Sequence, residues 1–247
     1  MYVLGINGGV RLGYQDTGAA LLLDGKLVAA VEEERINRVK FSPGQLPQLS
    51  IRSILELENI TIRDVDFLAS HGITWGNVYE KILRNYFEGE FGYCPPIERV
   101  HHHDAHAASA YYASGFNEAN IISMDGSGDG ISCEFAVGKD NNMEILERFD
   151  RPNSIGIFYS MITQYCGFTR DSDEYKLMGL SSYGDREKFD FSHILQFKEN
   201  QIVLNKEYIK NINPKEPQPT KQELIFSEKL ETEFGSKRFK NEELTKH

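Results

Sequence analysis

The chain has 247 residues, 40% of them hydrophobic, and its 37 acidic and 27 basic side chains give a net charge of −10. That length and apolar content support one large domain or two lobes. The acidic balance argues against a general nucleic-acid binder and against a polybasic membrane anchor.

Cys94, Cys133 and Cys166 lie far apart with no CxxC pair, so neither a disulfide framework nor a zinc knuckle is expected. A reducing, cytoplasmic home is the simplest expectation. The sequence opens on an apolar segment without a basic n-region, so no secretory leader is expected. No apolar run reaches the roughly 18–20 residues of a membrane span, and no solenoid-period repeat is present.

Residues 2–7 read as a strand ending in the loop NGGVRLGYQDTG. Asp24-Gly25 between two apolar runs signals a hairpin, so three antiparallel strands are expected near 2–7, 18–23 and 27–32. The run Glu32-Glu33-Glu34-Arg35 then reads as a solvated edge. Leu46, Leu49, Ile54 and Leu57 recur at helical spacing. DVDFLASHG reads as a buried strand and WGNVYEKILRNYFEG as a helix with an aromatic face. IERVHHH reads as a short strand leading into the helix DAHAASAYYASGF, with Asp104 as N-cap and Gly115 as stop.

NIISMDGSGDGISCEFAVGKDNNMEILERF repeats the opening plan of strand, glycine-rich turn, strand, turn and strand. The repetition predicts duplicated lobes, a first over 1–117 and the start of a second over 118–205. A helix over about 154–166 precedes the loop GFTRDSDEYKLMGLSSYGD. NPKEPQPTKQE reads as a linker, and 206–247 as a polar linker or tail with little core-forming power. The second lobe is therefore expected to be incomplete, and its exposed apolar surface would favour a homo-oligomer or a partner.

Four of the seven histidines stand in VHHHDAHAASAYY. On a helix His102 and His106 share one face. Asp125, expected at the C-terminal end of the strand IISMD, where ligands gather in α/β sheets, would be a third ligand. Two histidines and a carboxylate suit Fe(II), Mn or Zn; a solvated helix start with no ligand is the competing reading.

GSGDG at 126–130 offers backbone N–H groups to phosphate oxygens. It is not a dinucleotide fingerprint, because a strand follows, and an ordinary hairpin is the other reading. Asn7-Gly8-Gly9 mirrors it. Two such loops are the plan of the actin, sugar-kinase and heat-shock ATPase superfold, an analogy of fold alone. In SDEYKLMGLSSYG, Lys176 offers a point charge and Gly179 and Gly184 offer close approach; a loop with one solvated lysine is the alternative. Gln15 and Asp16 either contact ligand or cap a turn. Cys133 and Cys166 read as inert core residues, and no Ser/His/Asp or Cys/His triad is legible.

Five segments in order, LLLDGKLVAAVEEERINRVK, HHHDAHAASAYY, SMDGSGDG, SIGIFYSMITQYCGF and DEYKLMGLSSYG, resemble the O-carbamoyltransferase family over about residues 1–205. That family includes the nodulation protein U and enzymes that carbamoylate aminoglycoside, cephamycin and novobiocin-type antibiotics. The resemblance implies an α/β fold of duplicated actin-like, RNase H-like lobes (the ASKHA superfold) and a separate YrdC-like domain. Carbamoyl phosphate and ATP would give carbamoyl adenylate in the YrdC-like domain. The carbamoyl group would then pass to a small-molecule hydroxyl, on a sugar or an antibiotic, at an iron-type metal in the actin-like domain.

Carried over by position, the resemblance puts the metal on His102, His106 and Asp125 and makes His103 structural. It puts nucleotide on Gly126, Ser127 and Gly128, on Glu174, Lys176 and Gly179, and on Asn7 in the mirrored loop. Catalysis would fall to Gln15 and Asp16, where the family usually has His-Asp. Glutamine cannot transfer a proton near neutral pH. Family members are more than twice this length, so the YrdC-like domain and a further metal ligand would lie outside this chain. The expected function is the N-terminal part of a carbamoyltransferase. The alternative is a non-catalytic nucleotide- or metal-binding module, and the charge weighs against a nucleic-acid acceptor.

Overall fold

Alternation in YVLGIN sends Leu4 and Ile6 to one face, and both are buried in the strand β1 (Tyr2–Asn7). β2 (Gly18–Leu23) and β3 (Lys26–Glu32) follow as a hairpin. Its turn residues Asp24 and Gly25 both have positive φ, 49° and 78°, as a tight hairpin turn requires. The computed structural model describes residues 1–9, 16–185, 187–199, 201–210 and 222–243. It divides into two units, Met1–Ala105 and His106–His247.

In the first unit the hairpin leads into the short helix α1 (Glu33–Asn37) and then α2 (Gln48–Leu57). β4 (Phe67–Ser70) lies parallel to β1. α3 (Gly76–Phe91) then crosses to β5 (Ile97–Arg99), parallel to β4. Parallel neighbours need such crossovers, and these supply the helices that cover the sheet. The strand order is β3-β2-β1-β4-β5. Leu4, Leu21 and Leu68 of the sheet meet Ile51 and Ile54 of α2 and Leu83 and Phe87 of α3 in one core.

The acidic run after β3 is not a solvated edge throughout. Glu33 is buried, and its carboxylate accepts the N–H groups of Leu49 and Ser50 at 3.0 and 2.8 Å and the Ser50 hydroxyl at 2.7 Å. It thus caps the start of α2, whose first amides have no partner within the helix. Glu34 accepts the Phe41 N–H at 2.7 Å. That bond, with the Lys40 ammonium, holds its carboxyl below the usual range.

Helix α4 (His102–Ser114) begins in the first unit and runs unbroken into the second. There Ala107 and Tyr111 pack on Ile121 and Ala136. Those residues belong to β6 (Glu118–Gly128) and β7 (Ile131–Lys139), which with β8 (Asn142–Asp150) form an antiparallel sheet ordered β6-β7-β8. α5 (Ile155–Tyr165) follows, then α6 (Glu174–Ser181), where a loop is expected from the sequence. The hairpin of β9 (Leu195–Lys198) and β10 (Gln201–Leu204) and the helix α7 (Glu228–Phe234) complete the unit.

The expected fold class is the one observed: α/β, with a strand and a hairpin opening each lobe. Among the described residues the second sheet has three strands where the first has five. The stretch expected to be a polar tail supplies Tyr208, Ile225, Phe226 and Leu230 to a core with Ile157 and Met161. Most of the expected linker, 213–221, lies outside the described residues. Cys94, Cys133 and Cys166 are free thiols, and burial pushes each of them up. No helix among the described residues is long and apolar enough to cross a membrane.

Candidate metal centre

α4 sorts the histidine cluster by helix geometry. His103 and Ala107, four apart, take the buried face and are almost wholly inaccessible. His102 and His106, also four apart, lie on a face that keeps His102 half-buried and His106 exposed. Asp104 stands in the first turn, with the helix already begun at His102, rather than at the N-cap. Gly115, with φ +76°, follows the last residue, as expected of a stop.

Asp125 does not end its strand. β6 runs on to Gly128, and the turn is made by Asp129 and Gly130, with φ of 51° and 85°. Pairing with β7 shifts between Met124 and Gly128, so Asp125 to Ser127 bulge from the ladder. Such bulges re-aim side chains.

The bulge is held from α5. Ser154 caps that helix by accepting the Ile157 N–H at 3.0 Å, and its hydroxyl lies 2.9 Å from the carbonyls of both Asp125 and Gly126. Gly156 lets the helix come this close: a Cβ there would fall 2.6 Å from the Asp125 carbonyl and the Gly126 nitrogen. The Asp125 carboxylate is fixed in turn, with Oδ1 accepting the Gly126 N–H at 2.6 Å. Its Oδ2 lies 3.9 Å from Nε2 of His106. That is too long for a hydrogen bond. It does match two ligand atoms on one ion, which at about 2.1 Å each lie up to ~4.2 Å apart.

His102 joins these two through α4 itself. Among the described residues His102, His106 and Asp125 each offer one ligand atom, all within 4.8 Å of one another. Two imidazoles and a carboxylate are a donor set that fits a divalent transition metal.

The other expected residues fall into separate settings. Gly126 gives its N–H to Asp125, so it is not a simple phosphate donor, and no protein atom lies near enough to require glycine there. The same openness holds at Gly179 in α6. Glu174 accepts the Asp171 N–H at 2.6 Å and the hydroxyl of Ser160, from α5, at 2.8 Å. Lys176 pairs with Asp173 at 2.7 Å. The Asp173 carboxylate raises the lysine. Asp173 itself is pushed up by partial burial and pulled down further by Lys176 and the Thr169 N–H, so it titrates below the usual range.

In the first unit, Asn7 Nδ2 donates to the Asp16 carbonyl at 2.8 Å, and Asp16, with φ +59°, donates its N–H to the Phe41 carbonyl at 3.0 Å. Gln15 lies outside the described residues. His71 is absent from the sequence expectations, yet its Nε2 lies 2.6 Å from Asn7 Oδ1 and its ring meets that of His102, centroids 5.3 Å apart. Its position just after a buried parallel strand, where ligands gather, is the signal that points to it.

Residues 75–243 match the family described as "Carbamoyltransferase N-terminus". Nodulation protein NolNO of Sinorhizobium fredii is 34% identical over 217 residues, covering 75% of this chain and 32% of that protein. An uncharacterized Synechocystis protein is 32% identical over 217 residues, covering 74% of this chain and 35% of that one. The chain thus spans about a third of the length of these relatives. Among solved structures, YeaZ from Pseudomonas aeruginosa is similar at a TM-score of 0.38 and 14% identity, over 59% of this chain and 64% of that one.

Proposed function

The chain belongs to the carbamoyltransferase N-terminus family, and from that premise we propose that it carries the site where a carbamoyl group passes to a hydroxyl of a small molecule such as a sugar or an antibiotic. The donor in this reading is carbamoyl adenylate, made from carbamoyl phosphate and ATP by a YrdC-like domain outside this chain. The observation that carries the reading is the group His102, His106 and Asp125, set on α4 and the β6 bulge inside the matched residues.

These three residues would hold the metal, iron by preference and manganese or zinc otherwise. When bound it supplies Lewis-acid polarisation of an oxygen at the reacting centre. Asp125 aims its carboxylate by accepting the Gly126 N–H. α4 fixes the spacing of the two imidazoles before any ligand arrives, which lowers the reorganisation that binding requires.

In the transfer itself the acceptor oxygen bonds to the carbamoyl carbon. The bond from that carbon to the adenylate phosphate oxygen breaks, and AMP leaves. The hydroxyl proton passes to a carboxylate oxygen of Asp16, while Gln15 holds the acceptor by hydrogen bonds, since an amide does not titrate. Backbone N–H groups at Ser127 and Gly128 would take phosphate oxygens of the nucleotide, and Glu174, Lys176 and Gly179 are further candidates in the same unit. The free thiols Cys94, Cys133 and Cys166 support a reducing, cytoplasmic setting for this chemistry.

The test is metal content by inductively coupled plasma mass spectrometry on anaerobically purified chain and on His102→Ala/His106→Ala, followed by assays with added carbamoyl adenylate and a panel of sugar-like alcohols. A stoichiometric metal lost from the double variant, with a metal-dependent carbamate ester from the wild type, is the expected result. Metal retained by the double variant removes the site from α4. A loaded wild type that forms no ester with any acceptor leaves a binding module instead of an enzyme.

A further inference from the structure

Asn7 ends β1 and His71 follows directly on β4, and the two strands are parallel and paired, with Ile6 in register with Ser70. The Asn7 amide nitrogen is committed to the Asp16 carbonyl at 2.8 Å. Its Oδ1, which only accepts, therefore faces Nε2 of His71 at 2.6 Å. The hydrogen must lie on Nε2, and Asn7 sets the tautomer of His71.

The ring of His71 meets two others. Trp75 meets it edge-on, 5.1 Å between centroids at 74°, and His102 meets it at 5.3 Å and 80°. Gly72 makes the turn that brings Trp75 back: it has φ +86°, and a Cβ there would fall 2.7 Å from the indole. Trp75 rests in turn on Tyr79, 4.6 Å between centroids, and the buried Tyr79 hydroxyl donates to the Gly8 carbonyl at 3.0 Å. A row of rings, Tyr79, Trp75, His71 and His102, thus runs from the core of the first unit to the first residue of α4. It is tied at two points to the segment ending β1.

We propose that His71, locked by Asn7, is the positioning residue that fixes the ring of His102 for a divalent cation. This rests on the metal reading of His102, His106 and Asp125 above. Outer-shell partners that orient a metal-binding imidazole change affinity by roughly 10–100-fold when removed, and the His71 ring takes that place beside His102. His102 needs this support more than His106 does, because it opens the helix, where fewer turns restrain its rotamer.

The experiment is a Co2+ titration followed by visible absorption on the wild-type chain, His71→Ala, His71→Phe, Asn7→Ala and His71→Ala/Asn7→Ala. Circular dichroism of each apo-protein confirms folding, and His71→Phe serves if His71→Ala does not fold. His71→Ala should weaken cobalt by roughly 10–100-fold. His71→Phe, which keeps the ring but not the hydrogen bond, should fall between it and the wild type. The double variant should be no weaker than His71→Ala, because both residues act along one line of contact.

Long-range 1H–15N spectra of the apo-protein should show His71 as the Nε2–H tautomer; the Nδ1–H form overturns the Asn7 link. Cobalt bound equally by the wild type and the His71 variants overturns this inference alone. A wild type that takes no cobalt overturns the metal reading, and this inference with it.

Discussion

The sheets of the two units open alike and end differently. β1 is flanked by β2 on one side and by the parallel β4 on the other, whereas β6 among the described residues pairs only with β7. The consequence shows in exposure: Leu4 and Leu68 are wholly buried, but Ile122 and Met124 on β6 remain 59% and 53% exposed. The core follows the same division. One cluster spans the first unit, while the second splits its apolar residues among three smaller ones. A crossover helix therefore does two tasks at once, adding a strand to the edge and a lid to the face.

The sharpest way to break this comparison is in the cores. Phe87→Ala should cost about 3–5 kcal/mol, because its ring is wholly buried in the single large cluster. Leu230→Ala in α7 should cost about 2–4 kcal/mol and raise hydrogen exchange only in the second unit. Urea unfolding of each variant measures the totals; equal exchange changes in both units after Leu230→Ala would erase the distinction between them.

A step smaller, Glu33→Ala leaves the first amides of α2 buried without their carboxylate and should cost about 1–3 kcal/mol. Gly156→Ala belongs to the same range, about 1–3 kcal/mol, since the new Cβ must push α5 from the β6 bulge. It should also weaken cobalt binding, because the bulge carries Asp125. A variant that is destabilised but binds cobalt normally would show that α5 does not position that carboxylate.

A pH effect should be local. The folded pKa of Asp173 lies below its ordinary value, so the stabilisation it brings is present above the usual carboxylate range and is lost as pH falls through the depressed value. Backbone amide shifts of Thr169 and Lys176 followed by NMR should titrate together there, and Asp173→Asn should flatten both curves. The smallest effect is expected at Ile122→Thr, below about 0.5 kcal/mol, because the side chain already faces solvent. A loss like that at a core strand would mean that something covers β6.

The parts of the fold that were legible are those where one local signal dominates. Asp24-Gly25 between two apolar runs marked the first hairpin and placed β1 to β3 to within a residue. α6 was hidden because it buries only Leu177, so no apolar stripe marks it. Ile225, Phe226 and Leu230 were hidden for a different reason: they are few apolar residues in a charged stretch, yet they are buried in the core. At the site, the helical spacing of His102 and His106 was plain, but glycines after Asp125 suggested a strand end where the chain makes a bulge. Glu33 and His71 act through partners distant in sequence, Ser50 and Asn7, which no local pattern reveals.

Trp75 is the chain's single tryptophan among 12 tyrosines, and it lies edge-on to His71, one ring away from His102. Excited beyond the tyrosine absorption, its emission becomes a private optical channel onto that corner of the molecule. Imidazole charge and paramagnetic ions both quench indole. A fluorimeter and the unlabelled protein are thus enough to watch His71 and His102 respond, in real time, to whatever is added.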